Sequence, residues 1–214
     1  FEAALDMLIG GTSGQQVERR VVFMADMMPN TGATDEGALT ELFADAAAEG
    51  IHTTFIGMGL DANAELADAL SGIRGANHYF IHSADEFEQR LGEEFEYMVS
   101  PLVYNLSLEL DADGYDIEAV HGSPSADAAH DQLMHIGTLF PSAKQDGETR
   151  GGVVLVRLDQ QHPDADLELV ASWTERDGTD HKEQVTVSMP KSPETFAHDG
   201  VRKAVALSRY AREL

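Results

Sequence analysis

Cysteine is absent from all 214 residues, which excludes disulfides, thiolate zinc sites, iron–sulfur clusters and cysteine nucleophiles. Basic residues are scarce: 14 Lys and Arg stand against 38 Asp and Glu, for a formal net charge of −24 at pH 7. Such a chain repels phosphate, so nucleic acid and anionic lipid surfaces are unfavourable partners. No apolar run reaches the length of a membrane span, so we expect no direct membrane insertion.

The residues that are abundant indicate a folded, acidic protein. Hydrophobic residues make up 43% of the chain, enough for a packed core. The acidity is spread evenly and has two interpretations: adaptation to a salty habitat or simple solubility, and a surface that attracts cations. The chain opens at Phe1 in helix-like sequence, and we therefore expect that the N-terminal half of its first domain is missing.

Residues 1–100 alternate between strand and helix patterns. Continuous apolar or β-branched runs predict three strands, at residues 21–25, 51–57 and 77–81. Helical spacing predicts helices at residues 39–47, ended by Gly50, and at 62–73, and a third that opens on a Ser83–Glu86 capping box and ends at Pro101. Its Phe87, Leu91, Phe95 and Met98 are expected on a core-facing stripe. Short links between such elements predict βαβ units and a parallel sheet, half of a doubly wound α/β domain.

After residue 100 the hydrophobic period changes to two, which predicts an antiparallel, sandwich-like β domain over residues 101–190. The predicted strands cover residues 103–110, 115–120, 133–140, 152–158, 167–173 and 184–189. The C-terminal segment, residues 191–214, is predicted to form a helix: Pro190 and Pro193 break the chain, and residues 196–214 then have a helical pattern with Ala204, Leu207, Ala211 and Leu214 on one side.

The segment from residue 21 to residue 32, VVFMADMMPNTG, is the most informative part of the chain. An apolar strand leads into Asp26, and a turn containing Pro29, Asn30 and Gly32 follows. Ligands of open α/β sheets bind at the carboxyl ends of the strands. A carboxylate in that position suits a hard divalent cation, held directly or through water.

This segment resembles the third metal-site loop of the von Willebrand factor A domain family, in which an apolar strand precedes Thr-Asp-Gly-x-Pro-Asn. Asp26, Pro29 and Asn30 keep that spacing, whereas Ala25 and Met27 replace the Thr and Gly. The resemblance continues through GIHTTFIGMG at residues 50–59 and covers about residues 1–100. Beyond residue 100 the chain resembles bacterial proteins of the inter-alpha-trypsin-inhibitor heavy chain and calcium-activated chloride channel homologue type.

The resemblance implies a non-catalytic adhesion module with a metal-ion-dependent adhesion site, in which Asp26 holds Mg²⁺, or Mn²⁺ or Ca²⁺. A carboxylate from a protein partner would complete the metal shell, and Pro29, Asn30 and Gly32 would shape the rim. An extracytoplasmic or cell-envelope location is implied by the same resemblance. The family's Asp-x-Ser-x-Ser is absent from these residues, so we expect weak or no metal binding by this chain alone. The alternative function is a metal-free structural scaffold in a cell-envelope assembly.

Other functions are less compatible with the residues. Asp26 has a plain interpretation as a turn residue that caps the following loop. A response-regulator receiver needs a Lys after a later strand, and residues 1–100 contain no Lys. No serine lies in a G-x-S-x-G elbow. His78 and His82 have a spacing that places both on one face, but no third ligand beyond Asp85 is evident, so a zinc site there is not favoured.

Overall fold

The protein is described by a computed structural model that covers residues 2–9, 17–25, 36–58, 69–70, 72–145, 148–149, 151–162, 165–187, 196 and 199–213. The chain divides into two compact units. The first unit comprises Phe1–Asn105, Gly137–Thr149 and Thr174–Thr179, and the second comprises Leu106–Ile136, Arg150–Trp173 and Asp180–Leu214. The protein is thus a mixed α/β molecule with a parallel three-stranded sheet, antiparallel sheets and a C-terminal helix.

A parallel sheet forms the centre of the first unit, with the strand order β1-β2-β3. The predicted alternation of strands and helices is confirmed for the described residues. In chain order the elements are α1 (Glu2–Leu8), β1 (Arg19–Ala25), α2 (Glu36–Ala48), β2 (Ile51–Met58), β3 (Asn77–Ile81), α3 (Ala84–Glu88), a π-helical turn (Gln89–Glu93) and α4 (Phe95–Val99). The predicted helix at 62–73 lies mostly outside the described residues; residues 69 and 70 are helical.

The central strand β2 is buried at the first seven of its eight residues. Successive side chains of a strand point to opposite faces, and each face of β2 meets its own apolar cluster. Phe55 packs with Phe43 of α2 and with Leu70 and Ile73. Its neighbour Ile56 packs with Ile81 of β3 and Met98 of α4 on the other face. The sheet is therefore covered on both faces, which explains the continuous apolar pattern of its strands.

The capping box at Ser83 and the core-facing stripe predicted for the helix after it are each confirmed in part. The Glu86 amide donates to Ser83 Oγ at 3.1 Å, but the Glu86 carboxylate accepts from the His82 amide instead of the Ser83 amide. The π-helical turn inserts an extra residue, which rotates the following side chains by about 100°. Leu91 and Met98 consequently pack in the interior, whereas Phe87 and Phe95 are exposed.

The antiparallel strands after residue 100 are β4 (Val103–Asp111), β5 (Tyr115–His121), β6 (Gln132–Leu139), β7 (Lys144–Gln145), β8 (Glu148–Thr149), β9 (Leu155–Gln160), β10 (Glu168–Thr174) and β11 (Asp180–Thr186). Four of them, β4, β5, β6 and β10, lie within one residue of their predicted bounds, β9 begins three residues later than predicted, the last strand is displaced, and the two-residue strands β7 and β8 are not predicted by the hydrophobic pattern. The sheets have the orders β11-β10-β4-β6, β5-β9 and β7-β8. A 3-10 turn (Ala128–His130) precedes β6, and α5 (Asp199–Arg212) ends the chain.

The core of the second unit is a single cluster of leucines with apolar neighbours around it. Leu110 of β4, Leu133 of β6 and Leu167 are buried together. Side chains of the β5–β9 pair complete this cluster, among them Ile117, Val120, Val156 and Leu158. The four-stranded sheet and the β5–β9 pair therefore contribute to one apolar interior.

The predicted bounds of the last strand are wrong. The hydrophobic pattern predicts a strand at residues 184–189, whereas β11 is Asp180–Thr186. The cause is a tight turn, in which the Glu175 amide donates to the Thr179 carbonyl at 2.8 Å and the Gly178 amide donates to the Glu175 carbonyl at 3.0 Å. Such a turn fixes where the returning strand begins. The strand therefore starts in the polar sequence DHKE, which the hydrophobic pattern does not mark.

The predicted C-terminal helix is confirmed as α5, but the side that packs is a different one. Leu207 and Tyr210 are exposed, and Ala211 is exposed as well. The partly buried residues are Val201, Ala204, Val205 and Ser208, which have the i, i+3, i+4, i+7 spacing of one helix face. Within the described part of the chain, no helix is long and apolar enough to cross a membrane.

Candidate functional site at the two edges of the parallel sheet

The residues predicted to form the metal loop, Asp26, Pro29, Asn30 and Gly32, lie outside the described residues. What is described is the sheet edge next to them. β1 ends at Ala25, which is in register with Gly57 of β2. The last residues of the three strands are Ala25, Met58 and Ile81, and none of these side chains carries an oxygen. Any cation at this edge would therefore need ligands from the loops beyond the strands.

The opposite, amino edge of the sheet holds a buried polar network that the sequence analysis missed. The parallel register places Arg20 of β1 beside His52 of β2, on the same face. Glu18 Oε1 accepts from Arg20 Nη2 at 3.0 Å and lies 2.5 Å from His52 Nδ1. Arg20 Nη1 also donates to Thr54 Oγ1 at 3.0 Å. The side chains of Arg20, His52 and Glu18 are only 4%, 10% and 18% exposed.

Burial and ion pairing act in opposite directions on the charges of this network. Burial alone would raise the pKa of Glu18, but the hydrogen bond and charge of His52, together with Arg20, lower that pKa below its ordinary value. Burial lowers the pKa of Arg20, and the Glu18 carboxylate partly restores it. Glu18 is therefore the counter-charge that allows an arginine to be buried at the start of β1.

A cleft of about 310 Å³ opens beside this network within the first unit, and Glu18, His52, Arg74, Tyr104 and Arg176 line it. The Arg74 guanidinium lies over the Tyr104 ring, with Cζ 3.9 Å from the ring centroid. The His52 ring lies 5.9 Å from the same ring. Arg176 Nη2 is 3.4 Å from Glu18 Oε2. Burial raises the pKa of Tyr104, and the Glu18 charge raises it further, while the three arginines Arg20, Arg74 and Arg176 lower it.

Position 75, next to the cleft, requires glycine because of its backbone conformation and the closeness of the His52 ring. Its φ of +75° lies in the left-handed region, and a Cβ at this position would be 2.2 Å from His52 Cδ2. Only glycine meets both constraints without a shift of the imidazole. The Gly75 amide donates to Thr138 Oγ1 at 2.7 Å, so the same glycine ties this turn to the segment Gly137–Thr149.

Arg19 stabilises the same edge by capping two helices. Its guanidinium donates to the Leu8 carbonyl at the end of α1, at 3.4 Å, and to the Glu49 carbonyl just after α2, at 2.5 Å. Carbonyl groups at helix C-termini lack intrahelical partners and carry partial negative charge. One cation thus satisfies the ends of both helices that pack on β1.

The sequence held one signal for this network. Glu18, Arg19 and Arg20 directly precede an apolar run, and His52 is the second residue of the next predicted strand, so charged or titratable groups lie at the starts of two strands of the core. Such groups need partners. The partners Tyr104 and Arg176 lie 52 and 124 residues beyond His52, and no local pattern connects them.

Comparison with known proteins adds a distant structural similarity. No protein-family model and no curated protein sequence matches the chain. Among solved structures, it is similar to a von Willebrand factor type A protein from Catenulispora acidiphila, with 11% sequence identity and a TM-score of 0.39. The aligned part covers 87% of this chain and 44% of that chain. These comparisons give no support to the narrower resemblance to the inter-alpha-trypsin-inhibitor and chloride channel homologue type.

Proposed function

We propose that the chain is part of a non-catalytic protein-recognition module that holds its partner at the carboxyl edge of the parallel sheet. The observation that carries this proposal is the position of β1. This strand pairs with the buried central strand along its whole length and ends at Ala25, directly before Asp26 in the sequence. Open sheets of parallel strands bind their ligands at this edge.

The finer part of the proposal is divalent-cation dependence. Asp26 would anchor Mg²⁺ directly or through water, Pro29, Asn30 and Gly32 would shape the rim, and a carboxylate of the partner would complete the shell. The further oxygen ligands would come from loops outside the described residues or from other parts of the parent protein. The extracytoplasmic location implied by the resemblance to von Willebrand factor A domains belongs to the same proposal.

The test is a calorimetric titration of Mg²⁺ into the complete gene product that contains these residues. We compare the wild type with Asp26→Ala and with Asp45→Ala, a matched control that removes an exposed carboxylate from α2. The expected result is saturable Mg²⁺ binding that is weakened about tenfold or more by Asp26→Ala, as for loss of a direct carboxylate ligand, and is unchanged by Asp45→Ala. Equal Mg²⁺ binding by all three proteins, or none by the wild type, contradicts the cation-dependent function.

A metal-free structural scaffold is the second candidate, and the amino-edge network favours it. Glu18 there pairs with Arg20, His52 and Arg176, residues that are far apart in sequence. A network of this kind stabilises a fold without any ligand. Capture of a natural partner that survives both EDTA and Asp26→Ala would support the scaffold over the adhesion module.

A further inference from the structure

Positive charge is concentrated at the amino edge of the parallel sheet, in a chain that has little of it. The whole sequence has 14 Lys and Arg against 38 Asp and Glu. Four of the arginines, Arg19, Arg20, Arg74 and Arg176, lie at or beside this edge. Arg19 is used in capping helices and Arg20 is buried. Arg74 and Arg176 line the open cleft.

The cleft carries more positive charge than its own carboxylate can neutralise. Glu18 is shared by Arg20, His52 and Arg176, and its contact with Arg176 is long, at 3.4 Å. Among the described residues, no carboxylate lies within ion-pair distance of Arg74. Two guanidinium groups, those of Arg20 and Arg176, therefore share the Glu18 carboxylate, and the third, that of Arg74, has no ion-pair partner among the described residues.

The geometry indicates which anion suits this charge. Tyr104 covers one side of the Arg74 guanidinium and holds it by a cation–π contact. A guanidinium held in this way presents a planar set of N–H donors, which matches a carboxylate in a bidentate pair. The cleft volume of about 310 Å³ suits one small anion or one acidic side chain. A phosphate polymer would be repelled by the net charge of −24.

We propose that the cleft between Arg74, Tyr104 and Arg176 is a binding site for a single carboxylate group, and that it works without a divalent cation. It lies at the amino edge of the sheet, whereas the adhesion site proposed above lies at the carboxyl edge. The two sites therefore respond differently to metal removal, and either can fail without the other.

The test uses the full chain in buffer freed of divalent cations by chelating resin, with no soluble chelator because EDTA is itself a carboxylate, and at constant ionic strength. Three probes are titrated separately: succinate, inorganic phosphate and the tripeptide N-acetyl-Gly-Glu-Gly-amide. Affinity is measured by isothermal calorimetry. We expect saturable binding of a carboxylate probe, and a loss of about tenfold or more in Arg74→Gln, the size expected for one charge-assisted bidentate pair. Tighter binding of the tripeptide identifies an acidic protein segment as the ligand, and tighter binding of succinate identifies a free carboxylic acid.

Arg90→Gln is the matched control because Arg90 also lies over a tyrosine of the first unit, with Cζ 5.6 Å from the Tyr79 ring centroid. Arg90 is paired with Glu94 and is not among the residues that line the cleft, so the substitution removes the same charge without changing the cleft lining. It should leave probe affinity within about twofold. Arg74→Lys keeps the charge without the planar donor set and should give an intermediate affinity.

Three outcomes overturn the proposal. The first is the absence of saturable carboxylate binding by the wild type. The second is equal weakening in Arg74→Gln and Arg90→Gln, which would mean that only overall charge matters. The third is phosphate binding as tight as carboxylate binding, which would contradict the assigned ligand class. Circular dichroism of each variant checks that the comparison is made between folded proteins.

Discussion

The two units bury their strands in opposite ways. In the first unit, β2 has seven consecutive buried residues, and even its polar side chains His52, Thr53 and Thr54 are inside. In the second unit, six of the seven residues of β11 are exposed. A central parallel strand is covered on both faces, whereas an edge strand has charged side chains that face water and prevent pairing with another chain. The first unit must therefore find internal partners for its charges, and the second can leave its charges in water.

The largest difference in stability loss should appear when one aliphatic side chain is truncated in β2 and one in β11. Ile56 in β2 is 0% exposed and Val185 in β11 is 58% exposed. We expect Ile56→Ala to lower the free energy of unfolding by about 3–4 kcal/mol and Val185→Ala by less than about 0.5 kcal/mol. Urea denaturation measures both. Similar losses would mean that β11 is covered in solution and would remove the contrast.

A smaller difference in stability loss is expected between alanine substitutions at two glycines whose backbone has a left-handed conformation. Gly75 has φ +75° and a Cβ there meets the His52 ring, while Gly178 has φ +88° with nothing within 4 Å of its Cβ position. Gly178→Ala should lower stability by about 1 kcal/mol, the backbone penalty alone. Gly75→Ala should lower it by at least about 1 kcal/mol more, because His52 must also move. Equal losses in thermal denaturation would show that His52 has room to move.

A third comparison, in which pH dependence is the readout, concerns the buried and the exposed carboxylate–histidine pairs. The pKa values of Glu18 and Asp127 are both lowered. Burial raises the pKa of Glu18, but His52 and Arg20 lower it by more. The pKa of Asp127 is lowered mainly by the hydrogen bond with His130. A lowered folded-state pKa stabilises the fold above the unfolded-state pKa, about 4.3 for Glu, and this contribution disappears as the pH falls through the folded-state value.

Glu18→Gln should therefore destabilise the protein at pH 7, and its effect should decrease as the pH falls below the ordinary pKa of a glutamate, whereas Asp127→Asn in the exposed pair should have a smaller effect at both neutral and acidic pH. Denaturation midpoints at the two pH values measure this. An effect of Glu18→Gln that does not change with pH would contradict the assigned ion pairing.

The contrast also explains which elements were predictable from sequence. Residues 21–25 are a continuous apolar run, residues 51–57 are rich in β-branched residues, and residues 77–81 end in Tyr79, Phe80 and Ile81. Strands that pack into a core are rich in such residues, so all three strands are predictable from sequence. The last strand was misplaced because DHKE carries no hydrophobic signal and the turn around Gly178 sets its start. Phe87 and Phe95 were assigned to the interior because a π-helical turn cannot be seen in a pattern of period 3.6.

The two candidate sites also differ in how far they can be predicted from the sequence. Asp26 was identified because its signal is local, a carboxylate after an apolar strand, and its role stays a prediction. The cleft around Arg74 was not found, since Tyr104 and Arg176 reach it from segments 30 and 102 residues further along the chain. The geometry of a site assembled from distant segments depends on strand register and on turns. Neither can be predicted from the spacing of the site residues in the sequence.

The charged amino edge organises the first unit and should be where it binds a carboxylate. An amide chemical-shift titration of the isotope-labelled chain with succinate, in buffer freed of divalent cations by chelating resin, tests this directly. We expect saturable shifts at the cleft residues Glu18, His52, Arg74, Tyr104 and Arg176, with Ala25, Met58 and Ile81 at the opposite edge unchanged. Shifts at the carboxyl edge instead, or shifts scattered over both units, would contradict it.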